Sequence, residues 1–228
     1  MFKKLCKILF LYIPLSFVLL SFAWVLLYKY IPVTWTPLML KRSIENRGQE
    51  DFSNKQTWVD LDEVALVMVR AVMAAEDCKF MHHHGIDLEE LQKMTEEHLQ
   101  EGKRLRGCST ISQQVAKNCF TFCGNSWWRK AFEAYYTMLI ELIWGKERIM
   151  EVYLNVAETG KGIYGVEEAA MRNFKCHACD LNQHQAVSIA CVLPNPIKRT
   201  PKTVAQTHKR KYKAVLTRTS QTSYPFTK

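Results

Sequence analysis

Four clusters of polar residues have the types and spacing to do chemistry. The first, Glu76-Asp77-Cys78-Lys79-Phe80-Met81-His82-His83-His84-Gly85, ends an apolar run. A carboxylate beside apolar side chains has its charged form desolvated, which raises its pKa and lets it take a proton near neutral pH. The three adjacent histidines invite a metal, but neighbours on a helix do not share a face and zinc ligands favour wider spacing. The second cluster runs from Gly107 through Cys108, Ser109, Thr110, Ile111, Ser112, Gln113 and Gln114 to Lys117 and Asn118. A glycine-led turn opens a helix there, and the free N–H groups at its start form an anion site. Ser109 is the expected N-cap, with Gln113 four residues on. Gln114, Lys117 and Asn118 fall at i, i+3 and i+4, a shared face suited to phosphate and sugar hydroxyls, although such a face is more often simply solvated. In the third cluster Arg129 and Glu133 are i, i+4 neighbours beside Lys130. That is a surface ion pair unless it is a second carboxylate held by cations. The fourth, Lys146 to Asn155, reads as structural, an amphipathic helix with polar ends.

These residues need elements to position them. Val64, Leu66, Val67, Val69, Val72 and Met73 make an apolar band ahead of Glu76. Leu88–Gln100 reads as a helix opened by Asp87, and Thr110–Cys119 as another. Trp127–Trp144 is long and apolar, and Lys146–Val156, Glu167–Phe174 and Gln183–Val192 follow, the last stopped by Pro194 and Pro196. A short helix is expected around Leu38–Glu45. Strand signals are sparse, so the predicted fold is mainly α, one domain.

Lys3, Lys4 and Lys7 precede an uncharged run of 21 residues from Ile8 to Tyr28. At about 1.5 Å per residue it crosses the hydrocarbon of a bilayer. Trp24, Tyr28 and Tyr30 sit near its outer end, where amphipathic rings favour the interface. The lysines hold the N-terminus in the cytoplasm and the rest outside the membrane. A cleaved signal peptide is the alternative, but the only small-residue site, Ser21-Phe22-Ala23, falls inside the run. The chain thus divides into a basic N-terminus (1–7), a membrane span (8–28), a juxtamembrane connector (29–56), a helical domain (57–200) and a basic tail (201–228) whose helix reads as solvated. Lys+Arg 31 against Asp+Glu 22 gives net +9, which attracts nucleic acid, phosphorylated substrates or anionic lipid without choosing among them. Besides Cys6 there are seven cysteines, so they cannot all pair within the chain. Cys119, Cys123, Cys176 and Cys179 could form a four-thiolate zinc site only at loose spacing, and unpaired, mostly buried thiols are the plainer reading.

Taken together and in order, the four clusters resemble the peptidoglycan glycosyltransferase family, shared by monofunctional transglycosylases and bifunctional penicillin-binding proteins. Glu76, Asp77, Phe80, His83 and Gly85 match its first motif, and Gly107 to Asn118 its second. Arg129, Lys130 and Glu133 match the third, and Lys146, Ile149, Tyr153, Leu154 and Asn155 the fourth. The resemblance covers about residues 57–200. It implies a lysozyme-like helical domain behind one transmembrane helix in a bacterial inner membrane. It also implies polymerisation of lipid II, the undecaprenyl-pyrophosphate-linked disaccharide-pentapeptide, with inversion and release of undecaprenyl pyrophosphate. By that resemblance Glu76 deprotonates the acceptor hydroxyl and Glu133, on the donor side, orders the cations or a divalent metal around the pyrophosphate. Lys117, Arg129 and Lys130 would neutralise it. Ser109, Thr110, Gln113 and Gln114 would line the cleft, with Asp77, Phe80, His83, Lys93 and Asn118 also touching substrate.

The resemblance allows a divalent cation, Mg or Mn, carried on the pyrophosphate, and implies no organic cofactor. Expected partners are lipid II, the growing strand, the membrane and other cell-wall synthesis proteins, not nucleic acid. Two positions depart from the family pattern. Asn125 stands where an Arg is common, and Lys93 keeps the charge of another Arg without its bidentate fork. Lys103, Arg104 or Arg106 could compensate. Two other readings stay open, a weak scaffold that binds lipid-linked precursor and a lytic transglycosylase that cleaves glycan. The pyrophosphate cations argue against the second, and the two intact glutamates against the first. A transpeptidase is excluded, because no S-x-x-K, SDN-like and KTG set follows in a second domain.

Overall fold

The structure is a computed structural model that describes residues 11–49, 52, 54–102, 109–122 and 127–226. Lys3, Lys4, Cys6, Lys7, Lys103, Arg104, Arg106, Gly107, Cys108, Cys123 and Asn125 lie outside the described residues. Helices dominate, as the sparse strand signals require.

The apolar run forms α1 (Ile13–Tyr30), long and apolar enough to cross a membrane. Most of its side chains face outward, and only Ser21 and Val25 are buried. Ser21 Oγ lies 2.6 Å from the Tyr135 hydroxyl, and Phe17 meets Phe132 edge-on. Carbonyls at a helix C-terminus lack intrahelical partners. Here the domain supplies them, for the Arg148 guanidinium donates to Tyr28 O at 2.8 Å and Ile31 O at 2.5 Å. Trp144 Nε1 donates to Val25 O at 2.7 Å.

The connector is built into the domain rather than strung ahead of it. Thr36 caps α2 (Pro37–Glu45) by accepting from Met39 N–H, with proline at the first helical position. Arg42 of α2 pairs with Glu158 at 2.8 Å. Residues Lys55–Gln56 form β1, parallel to β3 (Ile163–Tyr164), which pairs antiparallel with β2 (Glu158–Gly160).

Behind this lies the core. Helix α3 (Leu66–Glu76) packs Met68, Val69, Val72 and Met73 against α9 (Gln183–Val192), every one of them buried. Helix α4 (Leu88–Glu101) rides outside with no buried residue, capped by Asp87 accepting from Glu90 N–H. Helix α5 (Ile111–Phe120) is held between α6 (Trp127–Ile143) and α7 (Lys146–Val156), and α8 (Val166–Phe174) closes the side of α9. A short α10 (Val204–Thr207) leads into α11 (Lys209–Gln221).

Three expectations are corrected. Residues 201–226 are not a solvated tail, because α11 packs on α3 and α9 and buries Tyr212, Val215 and Thr219. That stripe at i, i+3, i+7 is narrow, and the cations around it mask it in the sequence. The described thiols are not mostly buried, since Cys119 and Cys191 are buried but Cys176 is half-buried and Cys78 and Cys179 are exposed. Thr110, not Ser109, caps α5. Its Oγ1 accepts from Gln113 N–H at 3.2 Å while Gln113 Oε1 accepts from Thr110 N–H at 3.0 Å. This reciprocal box needs a three-residue spacing, and Ser109 is one residue too early. Replacing Thr110 by Ala is expected to cost about 1–2 kcal/mol of stability, seen as a lower melting temperature in detergent, whereas Ser109→Ala should leave it nearly unchanged.

Candidate active site

Glu76 is the last residue of α3, where the apolar helix stops and the chain turns. Its carboxylate is nearly buried, with 9 % of the side chain accessible. One oxygen, Oε2, accepts from Gln114 Nε2 at 3.0 Å, and Gln114 Oε1 in turn accepts from the Tyr153 hydroxyl at 3.3 Å. Tyr153 thus fixes which way the amide faces, so that the amide offers Glu76 its N–H. The other oxygen, Oε1, is buried without a hydrogen bond and lies 3.9 Å from Lys211 Nζ. Burial pushes the Glu76 carboxyl above the usual range, only partly opposed by Gln114, Lys211 and Arg199. Lys211 is itself pushed down by burial, which Glu76 opposes. A carboxyl raised by burial holds a proton more readily than an ordinary glutamate, which suits a general base.

The neighbouring acid, Asp77, does different work. Its two oxygens face His83 Nε2 at 3.1 and 3.0 Å, and Oδ2 also accepts from Ile111 N–H at 3.1 Å. His83 Nδ1 accepts from Gly85 N–H, so Nε2 carries the ring hydrogen and donates. Gly85 O accepts from Thr110 Oγ1 at 2.5 Å. Gly85 has φ +91°, and a Cβ there would meet Thr137 Cγ2 at 2.7 Å. Only glycine fits this closure. Asp77 and His83 are therefore struts between the first two clusters. Phe80 is fully buried under Lys146, whose Nζ sits 4.5 Å from the ring centroid. Lys146 also binds Glu141 at 2.7 Å, which accepts from Ser112 Oγ. Gln113 is occupied in the α5 cap. Phe80 and Gln113 thus build the walls, whereas Asp77 and His83 brace the two clusters and still line hollows, Asp77 the one at Glu76.

Two hollows flank the Glu76–Gln114 bond. One, of 330 Å³, is lined by Glu76, Ser109, Thr110, Glu90, Met94 and Arg218 among others. The second, of 200 Å³, is lined by Gln114, Lys117, Asn118, Tyr153, Arg42 and Pro194 among others. Gln114, Lys117 and Asn118 do share a face, and it lines this hollow, with Asn118 buried, Gln114 half-buried and Lys117 exposed. Lys93 is exposed on α4, whose Glu90 and Met94 line the first hollow. Glu133 on α6 is 2 % exposed, with Arg129 at 2.7 Å and Lys130 in close contact. This second carboxylate is held by two cations, as the functional reading of that cluster requires. His82 and His84 are exposed, and among the described residues no group of three or more His, Cys, Asp or Glu is arranged to hold a metal ion.

Sequence reasoning missed Lys211, Arg199 and Arg218, and it gave Tyr153 no part at Glu76. Lys211 and Arg218 stand seven apart with Ala214 between, a helix-face signal that the surrounding cations obscured. Tyr153 carried no such signal, because its contact with Gln114 crosses between helices.

Comparison with known proteins agrees with this geometry. The family model described as Transglycosylase matches residues 42–220. A biosynthetic peptidoglycan transglycosylase of Bdellovibrio bacteriovorus is 48 % identical over 183 residues, 80 % of this chain and 73 % of the relative. Its namesake in Caulobacter vibrioides is 48 % identical over 174 residues, 76 % of this chain and 73 % of the relative. One of the same name in Ectopseudomonas mendocina is 48 % identical over 195 residues, 85 % and 78 % of the two chains.

The raised pKa of Glu76 has a consequence for stability. A carboxyl whose folded pKa stands above its unfolded value weakens the fold once it ionises. Glu76→Gln should match wild type near and below pH 4.5 and become the more stable protein as pH rises through the elevated folded value. Melting curves between pH 4 and 8 check this, at roughly 2–4 °C per kcal/mol for a chain of this size. A melting difference that is flat with pH would show that burial does not perturb Glu76.

Proposed function

We propose that this chain, which belongs to the transglycosylase family, uses Glu76 as the base that joins lipid-linked disaccharide-pentapeptide units into glycan. It is a peptidoglycan glycosyltransferase that polymerises glycan for cell-wall synthesis. The observation that carries the role of Glu76 is its pair of unlike oxygens. One is oriented by Gln114, and the other is buried, unbonded and beside Lys211.

In this reading the Glu76 carboxylate, which lines the 330 Å³ hollow, accepts the proton of the acceptor sugar hydroxyl. The hydroxyl oxygen attacks the anomeric carbon of the donor from the face opposite the leaving group. The bond to the pyrophosphate breaks as the new glycosidic bond forms, so configuration inverts. Negative charge builds on the departing pyrophosphate, and fixed cations aimed at it stabilise the transition state. Lys117 supplies one such cation in the hollow beside Gln114. Arg129 and Lys130 supply two more, their geometry fixed by Glu133. A divalent cation would enter on the substrate's phosphates, because Glu133 is already engaged by two side-chain cations and builds no cage for a resident metal. Hydrolysis would need no such cation set, and the transfer reading uses it.

The span α1 would anchor the enzyme with its N-terminus in the cytoplasm and its domain outside, at the surface where a lipid-linked substrate lies. Exposed Trp127, Trp128 and Phe132 at the start of α6 suit the same interface.

Purified full-length protein incubated with the lipid-linked precursor should make polymer, and Glu76→Gln should reduce the rate by about 10²–10⁴-fold. Equal polymer from both would remove Glu76 from the chemistry. Tyr153→Phe keeps the shape of the ring but frees the Gln114 amide to turn. It should lower kcat roughly two- to tenfold, the worth of one hydrogen bond, and move the acid limb of the pH profile upward. The direction follows because loss of the Gln114 N–H removes a group that favours ionised Glu76. An unmoved acid limb would show that Tyr153 only packs.

A further inference from the structure

We propose that the basic groove along α11 binds the carboxylates of the peptide carried on the glycan strand, beside the Glu76 cleft. This rests on the reading of Glu76 as the base of glycan transfer and adds to it a site for the part of the substrate that does not react.

The charge of this protein is segregated. Residues 1–180 carry 22 Lys and Arg against 22 Asp and Glu, whereas residues 181–228 carry nine Lys and Arg and no acid. The whole net charge of +9 therefore sits in the last segment, which the fold packs onto α3 and α9. There it forms the wall of a groove of 620 Å³, a size ordinary for a ligand site. Lys211, Ala214 and Arg218 recur at i, i+3 and i+7 on α11, so they share one face, and with Thr207 of α10 they line the groove. Ala214 keeps the floor low between the two cations. Lys209 and Arg210 add exposed charge to the lining. Among the described residues, no carboxylate forms a salt bridge with Lys209, Arg210 or Arg218, and Lys211 meets only Glu76. Lys209 and Lys213 repel each other at i, i+4, and an anion in the groove relieves that repulsion.

The groove opens onto the cleft. Lys211 lines it and reaches Glu76 Oε1. Arg218 lines both the groove and the 330 Å³ hollow, and its guanidinium donates to Cys78 Sγ at 3.5 Å, two residues beyond Glu76. A strand seated with its reacting sugar at Glu76 must lead its substituents past this wall. Each disaccharide of that strand carries a peptide that ends in a free carboxylate, so an anion recurs with every unit. Phospholipid head groups offer related chemistry. The groove is assigned to the strand because it is continuous with the Glu76 cleft, and because the membrane helix α1 packs on α6 whereas α11 packs on α3 and α9.

The test compares the precursor bearing free peptide carboxylates with the same precursor after conversion of those carboxylates to carboxamides, using full-length protein in neutral detergent. Wild type should show a KM about three- to fivefold higher for the amide, the worth of a solvent-exposed ion pair, with kcat unchanged and the difference shrinking at high salt. The double variant Lys209→Ala, Arg210→Ala should show one KM for both substrates. Independently of turnover, full-length Glu76→Gln should bind a lipid-free glycan oligomer with free peptide carboxylates more tightly than its amidated form. Equal KM values in wild type, discrimination kept by the double variant, or discrimination seen only in vesicles of anionic phospholipid would each overturn the assignment. If wild type polymerised neither substrate, the Glu76 reading would fall, and the oligomer binding would still decide the groove by itself.

Discussion

Asp77 accepts hydrogen bonds from the His83 ring and from the backbone N–H of Ile111, and it does so while almost fully buried. A buried carboxylate without such partners would be costly, so the two donors and the acid must come together or not at all. Their meeting fixes the turn that follows α3 against the start of α5. Gln114 lies one turn further along α5, and only with that helix start in place does its amide reach Glu76. The position of the base thus depends on its neighbour in sequence, which takes no part in the proton transfer proposed for Glu76.

The same tension sets the chemistry. Glu76 is placed where its charge is poorly solvated, at the end of a helix whose buried residues are Met68, Val69, Ala71, Val72, Met73 and Ala74. Gln114 and Lys211 return part of that lost solvation, one by a hydrogen bond and one by charge. The balance leaves a carboxyl that holds a proton more readily than an ordinary glutamate, at the wall of the 330 Å³ hollow. Glu133 presents the opposite case, a carboxylate just as buried but saturated by Arg129 and Lys130. Two glutamates in one domain differ in role because one is short of donors and the other is not.

The long apolar helix and the candidate site share elements. Trp144 and Arg148, which take up carbonyls near the end of α1, flank the turn into α7, the helix that also carries Tyr153. Lys146 stands between them and joins Phe80 and Glu141. The apolar helix α1 is thereby fixed to the frame that orients Glu76.

The amino-acid sequence determined the local features of this protein. The apolar run, the Asp87 cap and the ends of α7 and α9 follow from short-range rules of periodicity and capping. The order of four motifs carried the family and marked Glu76 and Glu133. The sequence misplaced the cap of α5 by one residue, because Ser109 and Thr110 are equally good caps until the partner Gln113 chooses between them. It assigned Phe80 and Gln113 to the substrate, where the fold buries the ring and engages the amide in a helix cap, since a motif records which residues belong to a site but not which way their side chains turn. It read α11 as a solvated tail, because three apolar positions among many cations carry little signal alone. Only the tertiary structure brought Lys211 to Glu76 across 135 residues and Tyr153 to Gln114 between helices. Those contacts depend on how helices pack, and packing is a property of the assembled core rather than of any one segment.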